Sequence, residues 1–290
     1  MTSEQNSSTP NRRRFLQTSC LASGLVSLAL LPGSAYAALT KPERDPGHGL
    51  KLGLTSYTLR KFSLDQALAM AKEAGVKYIS LKDMHLPLKS SRAERQEASR
   101  KVSAAGLTLM GGGVISMKND SAEIRAAFEY AKDAEMPTII CAPDPNALDL
   151  VEAMAKEFDL RIAIHNHGPD KNNYPSPLDV LKLVKQRDSR MGICMDVGHT
   201  VRIGQDPIPV IRQCASRLYD FHMKDVTEPT PQGKAIEVGR GVIDIVAVLQ
   251  NLLKIKYSGQ VALEYEAKGD APLPGMTESL GYQRGVLAVI

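Results

Sequence analysis

Four side chains that can bind a metal ion each stand at the end of a short apolar run in the C-terminal half of this 290-residue sequence. The runs RIAIH, GICMD, LYDFH and QVALE end in His165, Asp196, His222 and Glu264. A carboxylate or imidazole among Val, Ile and Leu is costly to bury without a partner. One divalent ion bound by all four side chains would be such a partner. Two histidines and two carboxylates suit Mn, Co, Zn or Fe better than Ca, which prefers oxygen ligands.

These runs belong to an alternation of apolar segments and helical patterns that extends over residues 50–290. The eight segments are LKLGLTSYT, YISLK, LTLMGGG, TIICAP, RIAIHNH, GICMDVG, LYDFHMKD and QVALEYE, and a helical pattern follows each, the last and weakest near residues 278–290. Continuous apolar runs are typical of parallel strands that helices cover. Eight such units in roughly 250 residues predict an α/β fold, a single-domain (β/α)8 TIM barrel. A doubly wound sheet is the alternative, but no GxGxxG motif follows the first segment.

The C-terminal ends of the strands carry the chemistry in such a barrel. His165 and His167 lie on the same side of the fifth strand, because successive side chains alternate between faces. We expect His165 to bind the metal and His167 to contact a substrate above it. The alternative for His167 is a loop histidine in the turn before Gly168 and Pro169.

Other residues on the predicted rim are candidates for substrate binding. Lys82 either binds a carbonyl or enolate oxygen or is a solvated loop lysine, and Lys224 either points at substrate or pairs with Asp225. The full set of these candidates is Lys82, His85, Lys224, Arg240 and Tyr57. Gly111 to Gly113 resemble a phosphate cradle, but no Lys-Ser/Thr helix start follows, so we expect these glycines to allow close approach of the backbone or to form a pliable rim.

The segments IHNHG, MDVGH, FHMKD, GRGVID and LEYE resemble the xylose isomerase-like barrel superfamily of sugar isomerases and epimerases. The resemblance covers essentially the whole chain after residue 37. It implies that His165, Asp196, His222 and Glu264 hold one divalent metal and that His199 contacts substrate. One position departs from the family. The sugar epimerases usually have a glutamate that doubles as a catalytic base where this chain has His165, so a symmetric two-base epimerisation is in doubt.

The reaction implied is proton abstraction next to a metal-bound carbonyl. A metal that binds neighbouring oxygens of a keto-sugar stabilises the enediolate that forms when the adjacent proton leaves. We expect Glu264 to be the base, and His199 or His167 to return the proton or to protonate a leaving group. Isomerisation or epimerisation of an unphosphorylated sugar or keto-sugar is the predicted activity. The alternative is β-elimination from a 3-keto-glycoside, as in a lyase or hydratase.

The N-terminus has the pattern of an export signal. NRRRFLQ contains paired arginines before Phe15 and Leu16, an apolar stretch follows, and Ala35-Tyr36-Ala37 forms a small-x-small cleavage site. This order resembles a twin-arginine signal. It predicts a signal peptide over residues 1–37, a lead-in over 38–49, and a periplasmic or exported protein with no stable membrane anchor after cleavage.

Composition excludes some classes and leaves others open. The net charge is only +4, and Lys and Arg are interspersed with Asp and Glu, so nucleic acid is not the expected partner. A metal-dependent endonuclease of the same fold family would need more His and Glu ligands than these strand ends supply. A periplasmic sugar-binding protein without turnover remains a third class.

We expect Cys141, Cys194 and Cys214 to be buried free thiols. The oligomeric state is open, a homo-oligomer included.

Overall fold

A computed structural model describes residues 47–171 and 173–290. Within these residues the barrel is built from β1 Lys51–Thr55, β2 Tyr78–Leu81, β3 Thr108–Met117, β4 Thr138–Pro143, β5 Arg161–His165, β6 Met191–Asp196, β7 Leu218–Met223 and β10 Gln260–Leu263. All neighbours pair in parallel, and the barrel closes in the order β1-β10-β7-β6-β5-β4-β3-β2. The predicted single-domain (β/α)8 fold is confirmed. A small antiparallel pair, β8 Asp225–Val226 and β9 Ala235–Ile236, lies after β7.

Helices connect successive barrel strands and cover the outside of the barrel. They are α1 Leu64–Glu73, α2 Arg92–Ala104, α3 Ser121–Asp133, α4 Leu148–Phe158, α5 Pro177–Val184, α6 Val197–Arg202, α7 Pro207–Cys214, α8 Ile245–Lys254 and α9 Pro272–Leu287. Side chains fix several helix starts. Ser63 and Ser91 form capping boxes with Gln66 and Glu94, and each box satisfies two backbone N–H groups at the helix start.

The hydrophobic core lies mainly between the strands and the surrounding helices. A smaller apolar cluster around Ile140, Ala163 and Cys194 is separate from it. All three cysteines in the described residues are buried and free, as expected. The rigid layer of strands therefore holds the residues at the strand ends in fixed positions.

The glycine run lies inside β3. A Cβ atom at Gly113 would come within 1.9 Å of the carbonyl oxygen of Ile140, and Gly113 has φ of 127°. The pairing of β3 with β4 shifts register between Gly112 and Ile115. The glycines therefore allow close approach of two strands, as the sequence suggested.

Element ends differ from prediction at three places. The first strand ends at Thr55, and Ser56–Leu59 form a 3-10 helix. Helix α6 was not predicted, and it begins directly after β6 because the Asp196 side chain caps it. The last helix was predicted over residues 278–290 but begins at Pro272, where proline suits the first turn.

The predicted signal peptide over residues 1–37 and most of the lead-in lie outside the described residues, so both stay predictions. Over the part of the chain that the structure describes, no helix has the length and apolar character needed to cross a membrane.

Candidate active site

The four residues predicted to bind metal meet at the C-terminal end of the barrel. β5 ends in His165, β6 ends in Asp196, β7 carries His222, and Glu264 directly follows β10. All four are buried, and one ligand atom from each lies within 4.8 Å of the others. Because β5, β6, β7 and β10 are consecutive neighbours in the barrel, their last side chains come together at one place. We call these four residues the strand-end cluster.

Distances in the strand-end cluster fit a shared cation. His165 Nε2 lies 3.2 Å from His222 Nδ1 and 3.6 Å from Asp196 Oδ2, and His222 Nδ1 lies 3.5 Å from Glu264 Oε2. Ligands about 2.0–2.2 Å from a Zn-like ion are roughly 3–4 Å from one another. Asp196 Oδ2 is buried and has no hydrogen-bond partner in the described residues. A divalent cation would satisfy this oxygen, so the residues present fit the metal.

Two neighbours fix Asp196 in its position. Its Oδ1 accepts a hydrogen bond of 2.9 Å from the backbone N–H of His199, and its own backbone N–H donates to Asn166 Oδ1 at 2.8 Å. The carboxylate thus uses one oxygen as a helix cap and directs the other into the cluster. Local structure and site are coupled here, because the same residue ends β6, starts α6 and faces the candidate ion.

Asp220 lies behind His222 on the same strand. Its Oδ2 is 3.3 Å from His222 Nε2 and accepts a hydrogen bond of 3.2 Å from Cys194 Sγ. A carboxylate behind a ligating imidazole fixes the ring orientation and raises its basicity. The arrangement leaves His222 Nδ1 as the ring atom that faces the cluster.

We expect the Asp220→Asn substitution to weaken divalent-metal binding about tenfold to a hundredfold, the usual cost of losing such a partner. Isothermal titration with Mn²⁺ and Zn²⁺ on metal-free protein measures the change. Asp188→Asn, on the outer surface, is the matched control and should bind like the wild type. Unchanged affinity in Asp220→Asn would mean that Asp220 serves only packing.

Two lysines hold Glu264. Lys82 Nζ is 3.0 Å from its Oε1, to which Thr55 Oγ1 also donates at 3.1 Å, and Lys224 Nζ is 2.9 Å from its Oε2. Burial alone would raise the pKa of Glu264, but Lys224 and Lys82 outweigh it and hold the pKa well below its usual range. Lys224 has a similar effect on Asp196, whose pKa is also well below its usual value despite burial. Both carboxylates are therefore ionised, as cation binding requires.

The two histidines of the cluster are shifted in opposite directions. Burial lowers the pKa of His165 well below its usual value. The pKa of His222 lies well above its usual value, because the acidic groups around it together outweigh burial. A cation binds the unprotonated ring nitrogens, so protonation of His222 at lower pH should oppose cation binding.

His199 is oriented from behind by acceptors only. Its Nδ1 lies 3.0 Å from the carbonyl oxygen of Gly168 and 3.5 Å from Asp170 Oδ2. Arg202 in turn donates two hydrogen bonds to Asp170, at 2.7 and 3.0 Å. Because a carbonyl can only accept, Nδ1 carries hydrogen and Nε2 is left as the acceptor in neutral His199.

His167 lies beside His199, with ring centroids 4.3 Å apart. Its ring centroid is also 5.3 Å from that of His165. Burial, assisted by the charge of His199, lowers the pKa of His167 to about 4. His167 therefore lines the cavity beside the cluster, and its low pKa favours the neutral imidazole.

A cavity of about 380 Å³ opens above the strand-end cluster. Among its lining residues are three predicted substrate contacts, Tyr57, Lys82 and Lys224, together with His167 and His199. Asp170, Arg202 and Glu266 also line it and were not predicted. Only Glu266 had a signal in the sequence, since strand alternation places it on the side of Glu264.

Two predicted substrate contacts do not line the cavity. His85 is buried, with Nδ1 2.9 Å from Ser56 Oγ and Nε2 3.1 Å from the Phe62 carbonyl oxygen. Arg240 is exposed and pairs with Glu278. The structure gives both residues other partners and so lends no support to their predicted roles.

Lys224 does not pair with Asp225, which was the alternative. It pairs with Glu264, Asp196 and Glu266. Asp225 instead accepts hydrogen bonds from the backbone of residues 239, 241 and 243, each between 2.9 and 3.1 Å, and so shapes the loop that contains Arg240.

Comparison with known proteins shows which family this part of the chain is similar to. The family model described as "Xylose isomerase-like TIM barrel" matches residues 146–285, just under half of the chain. That range contains the whole strand-end cluster. The matched half of the barrel is therefore similar to the xylose isomerase-like family.

Two curated proteins and one solved structure are similar to this chain. The Rhizopine catabolism protein MocC of Rhizobium meliloti is 27% identical over 150 residues, which are 47% of this chain and 45% of that protein. Inosose dehydratase of Clostridium tetani is 27% identical over 135 residues, 41% of this chain and 45% of that protein. The alignments thus span less than half of these relatives. The E. coli 3-keto-D-glucoside 4-epimerase YcjR superposes with a TM-score of 0.66 at 14% identity, covering 81% of this chain and 99% of that one, and shares the fold.

Proposed function

We propose that this protein is a divalent-metal-dependent enzyme of the xylose isomerase-like superfamily that moves a proton next to the carbonyl of an unphosphorylated sugar or keto-sugar. The observation that carries the proposal is the strand-end cluster, four converging ligand residues beneath a cavity, in which Asp196 Oδ2 accepts no hydrogen bond and has Lys224 Nζ as a charged neighbour at 3.3 Å. The names of two similar proteins, an inosose dehydratase and a 3-keto-D-glucoside epimerase, support a carbohydrate as substrate.

The cavity suits a single small molecule. Its volume of about 380 Å³ is near the lower end of the roughly 300–1,000 Å³ typical of small-molecule sites. A bound divalent ion supplies polarisation of a carbonyl, which makes the neighbouring C–H bond acidic. The side chains around the cavity must then accept that proton and bind the oxygen that gains charge.

The contacts favour His199, not Glu264, as the group that accepts the proton. Both oxygens of Glu264 are engaged by ammonium groups, which lower its pKa and make it a weak base. His199 offers Nε2 to the cavity, and the Gly168 carbonyl and Asp170 fix its ring behind. A base oriented by a second group is the usual arrangement for proton transfer. Glu264 is then chiefly a metal ligand.

Opposite sides of the cavity carry different chemistry. β2 and β6 are four strands apart in the closed barrel, so Lys82 after β2 faces His199 after β6. An imidazole that accepts a proton thus stands opposite an ammonium that can donate to a developing oxyanion. Two opposed bases, which a symmetric epimerisation uses, are not found among the described residues.

This one-sided arrangement favours a second candidate, β-elimination from a 3-keto-glycoside on the same site. His199 would accept the proton next to the carbonyl and then, as an imidazolium, donate it to the departing oxygen, because a pKa of about 4 keeps His167 neutral and makes it a poor acid. Elimination needs one base and one acid, and isomerisation needs only that the same proton returns at the neighbouring carbon.

The decisive experiment is NMR in D₂O with 3-keto-glucosides and common ketoses, in metal-free protein and after addition of Mn²⁺, Co²⁺ or Zn²⁺. We expect deuterium to appear next to the carbonyl only with a divalent ion. Release of the group at the β carbon identifies elimination, and a changed ring configuration or carbonyl position identifies epimerisation or isomerisation. Tight binding of a keto-sugar without deuterium uptake would mean a binding protein without turnover.

A further inference from the structure

A second cavity adjoins the one above the strand-end cluster. Its volume is about 210 Å³, and Asp83 and Val114 line both cavities. It lies between the end of β3 and the loop after β2, with Tyr130 from α3 beneath. The two spaces therefore share a wall, and a molecule seated over the cluster can extend from the first into the second.

The second cavity differs from the first in its lining. The side chains of Leu86, Leu88, Val114, Ile115 and Tyr130 make it largely apolar. The Tyr130 hydroxyl donates to the Leu86 carbonyl oxygen at 2.9 Å, which leaves the ring itself to the cavity wall.

Few polar groups remain there for a ligand. Asp83 Oδ1 already accepts a hydrogen bond of 3.0 Å from the Leu88 backbone, and Ser116 stands at the exposed rim. The lip toward the first cavity carries Met84, which is 45% exposed although it is a large apolar residue.

The size of the second cavity is that of one apolar ring. A cavity of about 150 Å³ lined by Leu, Ile and Phe in another protein binds benzene, so about 210 Å³ accommodates a substituted aromatic ring. A second sugar would leave several hydroxyl groups against Leu86, Leu88 and Ile115 without hydrogen bonds, which is unfavourable.

We propose that the second cavity is a subsite for an apolar, aromatic aglycone, so that the substrate is an aryl keto-glycoside whose sugar ring lies over the strand-end cluster. This inference rests on the proposed function and specifies its substrate class. Burial of an aromatic ring in such a site should improve binding about tenfold to a hundredfold over a methyl group.

The test compares phenyl, methyl and glucosyl 3-keto-glucosides, in both anomeric forms, with the wild type and two blocking variants. Leu88→Trp and Ser116→Trp place an indole in the second cavity and lie outside the first. Leu183→Trp, at a partly exposed position on α5, is the matched control. We expect the wild type to have a KM for the phenyl substrate about tenfold to a hundredfold lower than for the other two.

Both blocking variants should lose this preference while they turn over the methyl substrate as the wild type does, and Leu183→Trp should keep it. Equal KM values for phenyl and methyl substrates would overturn the inference and leave the proposed function standing, and so would a preference for the glucosyl substrate. If none of the three is turned over, 3-keto-glucosides are excluded as substrates, the ketoses of the D₂O experiment decide the proposed function, and calorimetric titration with unoxidised phenyl and methyl glucosides decides the subsite. Tighter binding of the phenyl glucoside than of the methyl glucoside, with the difference lost in Leu88→Trp, supports the subsite. Equal binding of the two glucosides overturns it.

Discussion

The Asp196→Asn variant should bind the divalent ion at least about a hundredfold more weakly than the wild type and should lose metal-dependent activity. Partners behind a metal ligand already account for about tenfold to a hundredfold in affinity, and Asp196 is itself a predicted ligand. Asparagine has nearly the shape of aspartate, so its Oδ1 can still cap α6 through the His199 backbone. The change therefore removes the charge from the cluster and keeps the local fold.

Thermal unfolding with and without metal gives a readout that is independent of activity. A ligand that binds only the folded state at about 100 times its Kd adds about 2.7 kcal/mol, or roughly 5–10 °C in Tm for a chain of this size. We expect this increase in the wild type and none in Asp196→Asn. Asp206→Asn is the matched control, since Asp206 caps α7 through Ile208 and lies outside the strand-end cluster. If the Tm of the wild type does not change with Mn, Co, Zn or Fe, this result would contradict a metal centre.

The strand-end cluster could be located from the sequence because a small number of physical rules is enough to determine its position. Alternating apolar runs and helices imply parallel strands, and parallel strands in a barrel end on the same side. Consecutive strands are also neighbours, so the last residues of four runs must meet. His165, Asp196 and His222 then follow from counting to the end of each run.

The partners of Glu264 could not be found in this way. Lys82 lies 182 positions away in the chain and reaches Glu264 only because β1, between β2 and β10, brings the two strand ends close. Sequence placed Lys82 on the rim but gave no sign of an ion pair. The sequence therefore gave no indication that the ion pair with Lys82 lowers the pKa of Glu264, the predicted base.

Rim position alone does not tell whether His85 and Arg240 line the cavity. It indicates the end of the barrel where a residue lies, but not the direction of its side chain. The loop after β2 turns His85 toward Ser56 and Phe62, and the backbone contacts of Asp225 set the loop in which Arg240 pairs with Glu278. Such loop conformations depend on contacts between segments that are distant in the sequence. The pattern of residues along one segment carries no information about these contacts.

Helix α6 was missed for a related reason. VGHTVR is rich in valine and threonine, which favour strands, and it continues the apolar run of β6. The Asp196 side chain ends the strand by accepting from the His199 backbone, and this contact positions His199 at the site. The residue that the sequence identified as a metal ligand thus also fixes the residue that the structure favours as base.

The His199→Gln variant should lower kcat for deuterium exchange about 10²- to 10⁴-fold, the usual contribution of a general base, while metal content stays at the wild-type level. The reason is that the cavity is lined by His199, whose Nδ1 faces the Gly168 carbonyl, whereas the strand-end cluster proposed to hold the ion does not include His199. Metal analysis of the purified variant beside its exchange rate in D₂O measures both quantities. Asp170→Asn should have a smaller effect, because the Gly168 carbonyl still orients the ring.

Glu264→Gln separates the two possible bases. If Glu264 is chiefly a ligand, this variant loses metal and activity together, and added metal in excess restores part of the exchange. If Glu264 is the base, the variant retains metal and has no exchange at any metal concentration, while His199→Gln exchanges nearly normally. Since Lys82 and Lys224 occupy both oxygens of Glu264 and hold its pKa low, we expect the first result. The second would show that substrate binding displaces at least one lysine and restores the basicity of the carboxylate.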